Sequence, residues 1–236
     1  MNSPAGKRDI QISKALSYLL RHGALKEGLP IDNNGFIPVS VLLRHNRLKS
    51  HKCTLEDIHR IVENNDKKRF QIMNKDLEDG GQQEVICATQ GHSIATITPD
   101  NEVLEKVTAP TELPEKLIHG TSISKLLLIL QSGSIKKLRR NHIHLSPGIS
   151  GRDSQVVSGM RTSSNAYIHL ILGQPLLDKI QLFRSLNNVY LTPDDVDLSL
   201  FKSVTIRPSK RASDDLNAVI VELNRLGIPY ELSGGQ

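Results

Sequence analysis

An arginine and a histidine stand side by side near the start of the chain, at the end of an apolar pattern. Apolar residues recur at three- and four-residue steps from Ile12 to Leu20, which predicts a helix with one buried face. Asp9 is placed to cap this helix, and Gly23 to end it in a left-handed turn. Arg21 and His22 would then share the last turn. A permanent cation beside a side chain that titrates near neutrality suits a phosphoryl or phosphodiester ligand. Basic residues in the last turn of a helix are also stabilised by the helix dipole, without any ligand.

Two later basic runs could add positive charge to such a ligand site. Arg69 ends the run 67–69 and opens an apolar strand-like segment, where a guanidinium is costly unless it meets an anion or solvent. Arg140 ends the run 136–140, and alternation in the strand that follows puts His142 and His144 on one face. Two such histidines could bind a metal, but no third ligand is suggested nearby, so we expect no metal site. Both basic runs are also typical of a solvated surface.

Two short segments of the second half have the composition of a ligand-binding loop. The tripeptide His119-Gly120-Thr121 follows a strand-like pattern, and its glycine allows the backbone to approach a ligand that the flanking ring and hydroxyl can hydrogen-bond. The segment 158–165, which includes Arg161, is a polar loop that enters a strand. Each segment is also compatible with an ordinary connection.

Charge and composition exclude several classes of protein. Residues 1–108 hold 15 Lys and Arg against 14 Asp and Glu, and residues 109–236 hold 15 against 11. A nucleic-acid site would therefore be a local pocket and not a long basic stripe. Aromatic residues make up 3% of the chain, with no Trp, which argues against a stacking platform for single strands. The two Cys residues have no paired spacing, which argues against structural zinc and favours a reducing compartment.

The chain contains neither a run of 18 apolar residues nor an apolar leader. We therefore expect an intracellular protein, cytoplasmic or nuclear or both, that has no membrane span. We also expect a monomer, because no exposed apolar seam is evident in the sequence.

The periodic patterns predict an α+β protein of two domains, residues 1–108 and 109–236. Three short helices precede a strand pair in the first domain, an order typical of a winged-helix-like unit. Its third helix is predicted to begin at a capping box made by Thr54 and Asp57. The Thr-, Asp-, Glu- and Pro-rich segment 94–114 leads to the second domain, where strand-like runs outnumber helices. No Gly-x-Gly-x-x-Gly follows a strand, so a doubly wound parallel sheet is not expected.

These segments occur together, in one order, in a known family. The chain resembles the NAD-dependent tRNA 2′-phosphotransferase family, most closely its fungal members, from about residue 9 to about residue 230. Six motifs in order are far more specific than any one of them. The motifs are Leu19-Leu20-Arg21-His22, Arg69 at the start of its strand, Cys87-Ala88-Thr89-Gln90-Gly91-His92-Ser93, His119-Gly120-Thr121, Arg140-Asn141-His142-Ile143-His144-Leu145-Ser146 and Ser158-Gly159-Met160-Arg161.

The resemblance implies both a fold and a reaction. The fold is an N-terminal winged-helix RNA lobe followed by a lobe with the ADP-ribosyltransferase fold, which binds NAD. The reaction transfers the splice-junction 2′-phosphate of ligated tRNA to NAD, through an ADP-ribosylated 2′-phosphate intermediate. Its products are 2′-OH tRNA, nicotinamide and ADP-ribose 1″,2″-cyclic phosphate. The family's catalytic residues fall on Arg21, His22, Arg69 and Arg140 of this chain.

The implied partners are tRNA with an internal 2′-phosphate and NAD as co-substrate, with no metal. For NAD the resemblance points to six residues, which are His119, Gly120, Thr121, His144, Ser146 and Arg161. Two other functions fit parts of the same pattern. A one-step ADP-ribosyltransferase would leave ADP-ribose on a nucleic-acid phosphate, but the four catalytic residues serve the second step. A non-catalytic winged-helix RNA-binding protein would need neither NAD nor the residues expected to hold it.

Overall fold

Two compact units make up the protein. The computed structural model describes residues 4–77, 80–98, 103–153, 156, 158–208 and 213–233, so part of the segment 94–114 lies outside the described residues. The first unit comprises the described residues up to Leu104 together with Arg139–Asn141, and the second comprises those of 105–138 and from His142 onward. Helices and mainly antiparallel strands give each unit a mixed α and β composition, in agreement with the predicted α+β class.

The first unit is built from short helices and a strand hairpin. Its elements are α1 Pro4–Tyr18, a π-helical turn Leu19–Gly23, β1 Ile37–Pro38, α2 Val39–Arg44, α3 Asn46–Lys49, α4 Leu55–Glu63, β2 Phe70–Asp76 and β3 Gln82–Ala88. β2 and β3 pair antiparallel, and β1 pairs with the other edge of β3. The hairpin was predicted, whereas α3 was not.

The predicted apolar stripe anchors α1 in the core of this unit. Ile12, Leu16, Leu19 and Leu20 are all fully buried, together with residues of α2, α4 and β3. α4 begins at the predicted capping box. The Thr54 side chain accepts a hydrogen bond from the backbone N–H of Asp57, and the Asp57 side chain accepts one from the backbone N–H of Thr54.

Both predicted boundaries of the first helix were wrong. α1 begins at Pro4, so Asp9 lies inside it and pairs with Arg60, whose Nη2 is 2.8 Å from Asp9 Oδ1. Gly23 lies in the π-helical turn, and the next residue has right-handed helical angles. A Cβ at Gly23 would lie 2.4 Å from Cε1 of Tyr18. Glycine is required there for the space that the tyrosine ring occupies, and not for a left-handed turn.

The second unit contains most of the strands. Its elements are β4 Leu104–Val107, β5 Ile118–Thr121, α5 Ile123–Ser132, β6 Ser134–Ile135, β7 Ile143–Leu145, β8 Ala166–Leu170, α6 Gln174–Leu177, β9 Leu182–Ser185, β10 Tyr190–Thr192, β11 Val196–Asp197, β12 Phe201–Ile206, α7 Ser213–Leu226 and β13 Tyr230–Leu232. None of the helices that the structure describes in either unit is long and apolar enough to cross a membrane.

Antiparallel pairing dominates the second unit. Its larger sheets follow the orders β13-β12-β8-β5 and β4-β9-β10-β7, and β12 pairs parallel only with β13. α5 and α7 contribute Leu126, Leu130, Val219 and Leu223 to the core that also buries Ile168 of β8. This core fixes β5 and β8 as a rigid base for the polar residues at their ends.

Candidate functional site

A π-helical turn presents Arg21 and His22 in the first unit. Leu19 and Leu20 of the same turn are fully buried, whereas Arg21 is half-buried and His22 is exposed. Short π-helical insertions are frequent at functional sites, because they rotate the residues that follow an apolar anchor out of the helical register. Two buried leucines therefore hold the two polar side chains in place.

This turn opens on a surface cavity of about 690 Å³ within the first unit. The basic residues that line it are Lys14, Arg21, His22, Arg60, Lys67 and Arg69. Asp9 and Asp66 also lie in its wall, but the Asp9 carboxylate is already paired with Arg60. Lys14, Arg21 and Arg69 make no ion pair with a described residue, so the cavity wall offers positive charge to an anion.

Arg21 lies in an environment that is unfavourable to its own charge. Its Nε atom is buried, and the described residues offer its side chain no hydrogen-bond partner. Burial and then the positive charges of Arg69 and Arg140 lower the pKa of Arg21 to about 10. The guanidinium still carries its charge at neutral pH, so both desolvation and repulsion persist in the free protein. A bound phosphate would relieve both, since it accepts charge-assisted hydrogen bonds and neutralises the cluster.

His22 is held beside this cluster in its neutral form. Its Nδ1 atom is 2.8 Å from the Ser93 hydroxyl, and the Ser93 backbone N–H donates to the carbonyl of Arg21 at 2.9 Å. Burial and then the charges of Arg21 and Arg140 lower the pKa of His22 below its ordinary value of 6.5. The imidazole is therefore able to accept a proton when an anion offsets the neighbouring arginines.

The loop between α4 and β2 fixes Arg69. Asn65 Oδ1 accepts hydrogen bonds from the backbone N–H groups of Lys67 and Arg69, at 3.2 and 3.4 Å, and from Nη1 of Arg69 at 3.3 Å. The backbone N–H of Thr89 donates to the Arg69 carbonyl at 3.0 Å. One asparagine thus shapes the loop and orients the guanidinium that the loop presents to the cavity.

Arg140 joins the first unit through its neighbour Asn141. The Asn141 backbone N–H donates to the carbonyl of His92 at 3.0 Å, and its Nδ2 donates to the carbonyls of Ile94 and Ile97 at 2.9 and 3.1 Å. The charge of Arg140 then acts on both Arg21 and His22. The structure therefore brings the four predicted catalytic residues into one cluster.

His119 and His144 meet in the second unit. His119 lies on β5, and its Nδ1 atom is 3.1 Å from the backbone carbonyl of His144 on β7. Because a carbonyl only accepts, Nδ1 carries the proton and Nε2 is the acceptor of the His119 ring. Burial lowers the pKa of His119, which keeps the ring neutral.

Ser146 is buried beside the same strands. Its backbone exchanges two hydrogen bonds with Ile118, at 2.9 and 2.8 Å, yet its buried Oγ has no partner among the described residues. Gly159 approaches it with a φ of 93°, and a Cβ at Gly159 would lie 3.1 Å from Val189 and 3.6 Å from Ser146. An unsatisfied buried hydroxyl close to a tightly packed loop indicates a site for a polar ligand.

Gly120 and Thr121 complete the end of β5. A Cβ at Gly120 would lie 2.4 Å from Cγ of Met160, so only glycine leaves room for this methionine. The Thr121 carbonyl accepts from the backbone N–H of Asn165 at 3.0 Å, which ties the loop 158–165 to the strand. Arg161 of that loop is exposed, and its side chain makes no hydrogen bond or ion pair with a described residue.

Known proteins are similar to this chain over most of its length. A sequence profile of the RNA 2′-phosphotransferase, Tpt1/KptA family matches residues 7–194. The chain belongs to this family. A tRNA 2′-phosphotransferase of Saccharomyces cerevisiae is 50% identical over 226 residues, which cover 95% of this chain and 96% of that protein.

Family members from more distant organisms are also similar. A tRNA 2′-phosphotransferase 1 of Bos taurus is 41% identical over 209 residues, which cover 86% of this chain and 78% of the relative. A probable RNA 2′-phosphotransferase of Flavobacterium johnsoniae is 36% identical over 183 residues, which cover 78% of this chain and 90% of that protein. The family match includes both the arginine cluster and the His119 segment.

Sequence reasoning missed several residues that the geometry of this family member brings to the two sites. Lys14 lines the cavity seven residues before Arg21, and a spacing of two helical turns could have indicated a shared face. Ser93 was part of a motif but had no assigned role. Asn65 and Met160 carried no signal, because their importance depends on contacts that only the folded chain defines.

Proposed function

We propose that this chain is a tRNA 2′-phosphotransferase that transfers the splice-junction 2′-phosphate of ligated tRNA to NAD. Its products are 2′-OH tRNA, nicotinamide and ADP-ribose 1″,2″-cyclic phosphate. The observation that carries the proposal is the Arg21 guanidinium, which is half-buried, repelled by two other arginines and without a hydrogen-bond partner among the described residues. Family membership and the names of the relatives support the same reaction.

The two predicted lobes divide the substrates between them. We assign tRNA binding to a winged-helix-like lobe of residues 1–108 and NAD binding to an ADP-ribosyltransferase-like lobe of residues 109–236. The order of helices, hairpin and added strand in the first unit supports the winged-helix assignment. Arg140 lies in the 109–236 segment of the sequence but acts with the tRNA-binding lobe, because Arg139–Asn141 pack with the first unit.

The arginine cluster acts on the phosphate. A phosphate monoester is anionic at neutral pH, so as a nucleophile it needs positioning more than a general base. Arg21, Arg69 and Arg140 position it and then stabilise the charge that develops on the phosphoryl oxygens as the ribose 2″-hydroxyl attacks the phosphorus and the RNA 2′-oxygen departs. His22 is neutral in the free protein and takes up or returns a proton once the phosphate offsets its cationic neighbours.

The second site fits NAD. The buried Ser146 hydroxyl lacks a partner among the described residues, and Gly120 lets Met160 of the loop 158–165 pack closely against β5. NAD has many hydroxyl and phosphate oxygens, and when bound it supplies an electrophilic anomeric carbon whose leaving group is nicotinamide. The Ser146 hydroxyl and the His119 Nε2 atom are the hydrogen-bonding groups of this chain that would hold it, with His144, Thr121 and Arg161 as further contacts.

We also propose that the protein works as a monomer in an intracellular compartment, without a metal. The two unpaired Cys residues, one buried and one half-buried, support a reducing environment. Family relatives whose names describe tRNA enzymes support a cytoplasmic or nuclear site of action.

A single assay tests the reaction. Purified protein is incubated, with and without NAD, with a short RNA that carries one labelled internal 2′-phosphate, and the products are separated. The expected result is that the label leaves the RNA only when NAD is present and appears in a cyclic ADP-ribose phosphate. Nicotinamide release should also depend on the phosphorylated RNA.

The same assay distinguishes the two alternatives. Label that stays on RNA to which ADP-ribose has been added would identify a one-step ADP-ribosyltransferase. RNA that is bound but chemically unchanged, with no nicotinamide released, would identify a binding protein. Either result would overturn the proposed reaction.

A further inference from the structure

A segment without acidic residues runs along one part of the first unit. Residues 33–55 contain no Asp or Glu, although they contain four Lys and Arg. These four residues, Arg44, Arg47, Lys49 and Lys52, are all exposed, and we call them the α2–α3 basic surface. They lie on α2, on α3 and in the turn that follows α3. A concentration of one charge sign in one exposed segment indicates an oppositely charged partner.

Three of the four charges are available to such a partner. Arg47 is bound to Glu27, with its Nη2 3.0 Å from Glu27 Oε1. The side chains of Arg44, Lys49 and Lys52 make no ion pair with any residue that the structure describes. Surface cations that make no ion pair keep their attraction for an external anion.

The α2–α3 basic surface is continuous with the cavity that holds the arginine cluster. The Arg47 guanidinium carbon lies 4.3 Å from the centre of the Tyr18 ring. Tyr18 in turn lines the cavity together with Arg21 and His22. A nucleic-acid strand that leaves the cavity past Tyr18 would therefore meet the basic surface next.

The size of the cavity requires such an outer surface. Its volume of about 690 Å³ is on the scale of a pocket for one small ligand. A tRNA is many times larger, so most of its backbone must lie outside this cavity.

The neighbouring helix α4 is not suited to this role. In helix-turn-helix units the second helix commonly enters a nucleic-acid groove. Here α4 carries Glu56, Asp57 and Glu63 against a single basic residue, Arg60, which is itself paired with Asp57 and Asp9. The acidic excess would repel phosphates, so the charge distribution favours the α2–α3 basic surface.

We propose that the α2–α3 basic surface binds the tRNA backbone beyond the nucleotide that carries the 2′-phosphate. This inference rests on the proposed function, because it takes tRNA as the substrate. The contacts are electrostatic and made to phosphates, so they add affinity and orientation without reading sequence. They also give whole tRNA an advantage over a short RNA with the same 2′-phosphate.

The test compares two RNAs and two triple variants. R44Q/K49Q/K52Q removes three charges from the basic surface, and K106Q/K179Q/K202Q removes three exposed charges from the second unit. Binding and phosphate transfer are measured for 2′-phosphorylated tRNA and for a 2′-phosphorylated RNA of a few nucleotides, between about 50 and 200 mM salt. Thermal unfolding checks that both variants remain folded.

We expect R44Q/K49Q/K52Q to weaken tRNA binding roughly tenfold. The slope of log affinity against log salt should become shallower by about 2–3. Each RNA phosphate that the variant no longer neutralises contributes about 0.7–0.9 to this change, and three are lost. The KM for tRNA should rise with kcat unchanged, and the short RNA should be unaffected. The control variant should resemble the wild type with both RNAs.

Other outcomes separate this inference from the proposed function. If tRNA binding is unchanged in the variant, or if both RNAs lose affinity equally, the inference is overturned, and in the first case an acidic protein becomes the partner to test. If the wild type binds tRNA through these charges but transfers no phosphate, the proposed reaction falls and the binding surface stands.

Discussion

The charge of Arg21 destabilises the free protein and, in the proposed reaction, holds the phosphate. Its guanidinium is desolvated and repelled by Arg69 and Arg140, and the described residues provide no hydrogen bond in return. Such an arrangement lowers the stability of the free protein. When a phosphate binds, the same desolvation strengthens each of its contacts with the guanidinium. Function and stability therefore oppose each other at this residue.

The substitution Arg21→Gln should separate these two effects. We expect phosphate transfer to fall by roughly 10²–10³, as for the loss of one preorganised donor to a developing oxyanion. The melting temperature in phosphate-free buffer should stay the same or rise, because the repulsion is removed. Inorganic phosphate should stabilise the wild type more than the variant.

Arg225→Gln is the matched control, because Arg225 is an exposed residue of α7 paired with Glu222. It should leave both transfer and the phosphate effect unchanged. A clear fall in the melting temperature of the Arg21→Gln protein would contradict the view that this arginine is unfavourable in the free state.

His22 should titrate below its ordinary value of 6.5 in the free protein. Burial and the positive charges of Arg21 and Arg140 disfavour the imidazolium, so both inorganic phosphate and the substitution Arg140→Gln should raise the pKa. Titration of the ring carbons by nuclear magnetic resonance measures each value. A pKa above 6.5 in the free wild type would show that the imidazolium is already stabilised without a ligand.

At the scale of elements, the loop between α4 and β2 depends on Asn65. The substitution Asn65→Ala removes the acceptor of three hydrogen bonds, one of them from the Arg69 guanidinium. We expect kcat/KM for phosphorylated RNA to fall roughly tenfold, since a misplaced catalytic group is costly. Steady-state kinetics measure the effect.

The neighbouring substitution Asn64→Ala provides the control, because Asn64 lines the same cavity but makes none of these bonds to Arg69. It should retain most activity. If Asn65→Ala changes only the melting temperature and leaves the KM for RNA and kcat unaltered, then Asn65 shapes the loop without positioning Arg69 for the phosphate.

Ser146 connects β5 and β7 and should be replaceable without loss of stability. The substitution Ser146→Ala removes a buried hydroxyl that has no partner among the described residues, so the free energy of unfolding should stay the same or rise. The KM for NAD should increase, by roughly tenfold for the loss of one or two hydrogen bonds.

Ser185→Ala is the contrasting variant in the same unit. Ser185 Oγ donates to Asn187 Oδ1 and accepts from the backbone N–H of Val189, so its loss should cost about 1 kcal/mol and leave the KM for NAD unchanged. Denaturant unfolding and NAD titration kinetics measure both variants. An unchanged KM for NAD in Ser146→Ala would remove this hydroxyl from the NAD site.

Local patterns predicted the elements better than they predicted the contacts of the sites. The capping box of α4 and the β2–β3 hairpin depend on residues close in sequence, and both were predicted. The π-helical turn was missed, because five residues are too few to show a period that differs from an α-helix. The position of Arg140 is set by hydrogen bonds from Asn141 to backbone carbonyls that are distant in sequence. Sequence periodicity does not reveal such contacts.

At the scale of the whole molecule, partly desolvated histidines should set how stability depends on pH near neutrality. Burial lowers the pKa of four histidines among the described residues: His22, His119, His142 and His169. In the unfolded chain each titrates near 6.5. Between that value and the lower folded pKa, the unfolded state binds more protons than the folded state, so protonation favours unfolding.

The free energy of unfolding should therefore be nearly constant from about pH 7.5 to about pH 8 and decrease as the pH falls through 6.5 towards the lower folded pKa values. Urea unfolding at a series of pH values measures it. His119→Gln removes one of the four groups and keeps a side chain that can donate to the His144 carbonyl. The free energy of unfolding of this variant should therefore decrease less on acidification than that of the wild type. Stability that increased on acidification would mean that these histidines are held as cations. In that case the neutral rings assigned here to the phosphate and NAD sites would both be wrong, because the same burial produces the shift at each site.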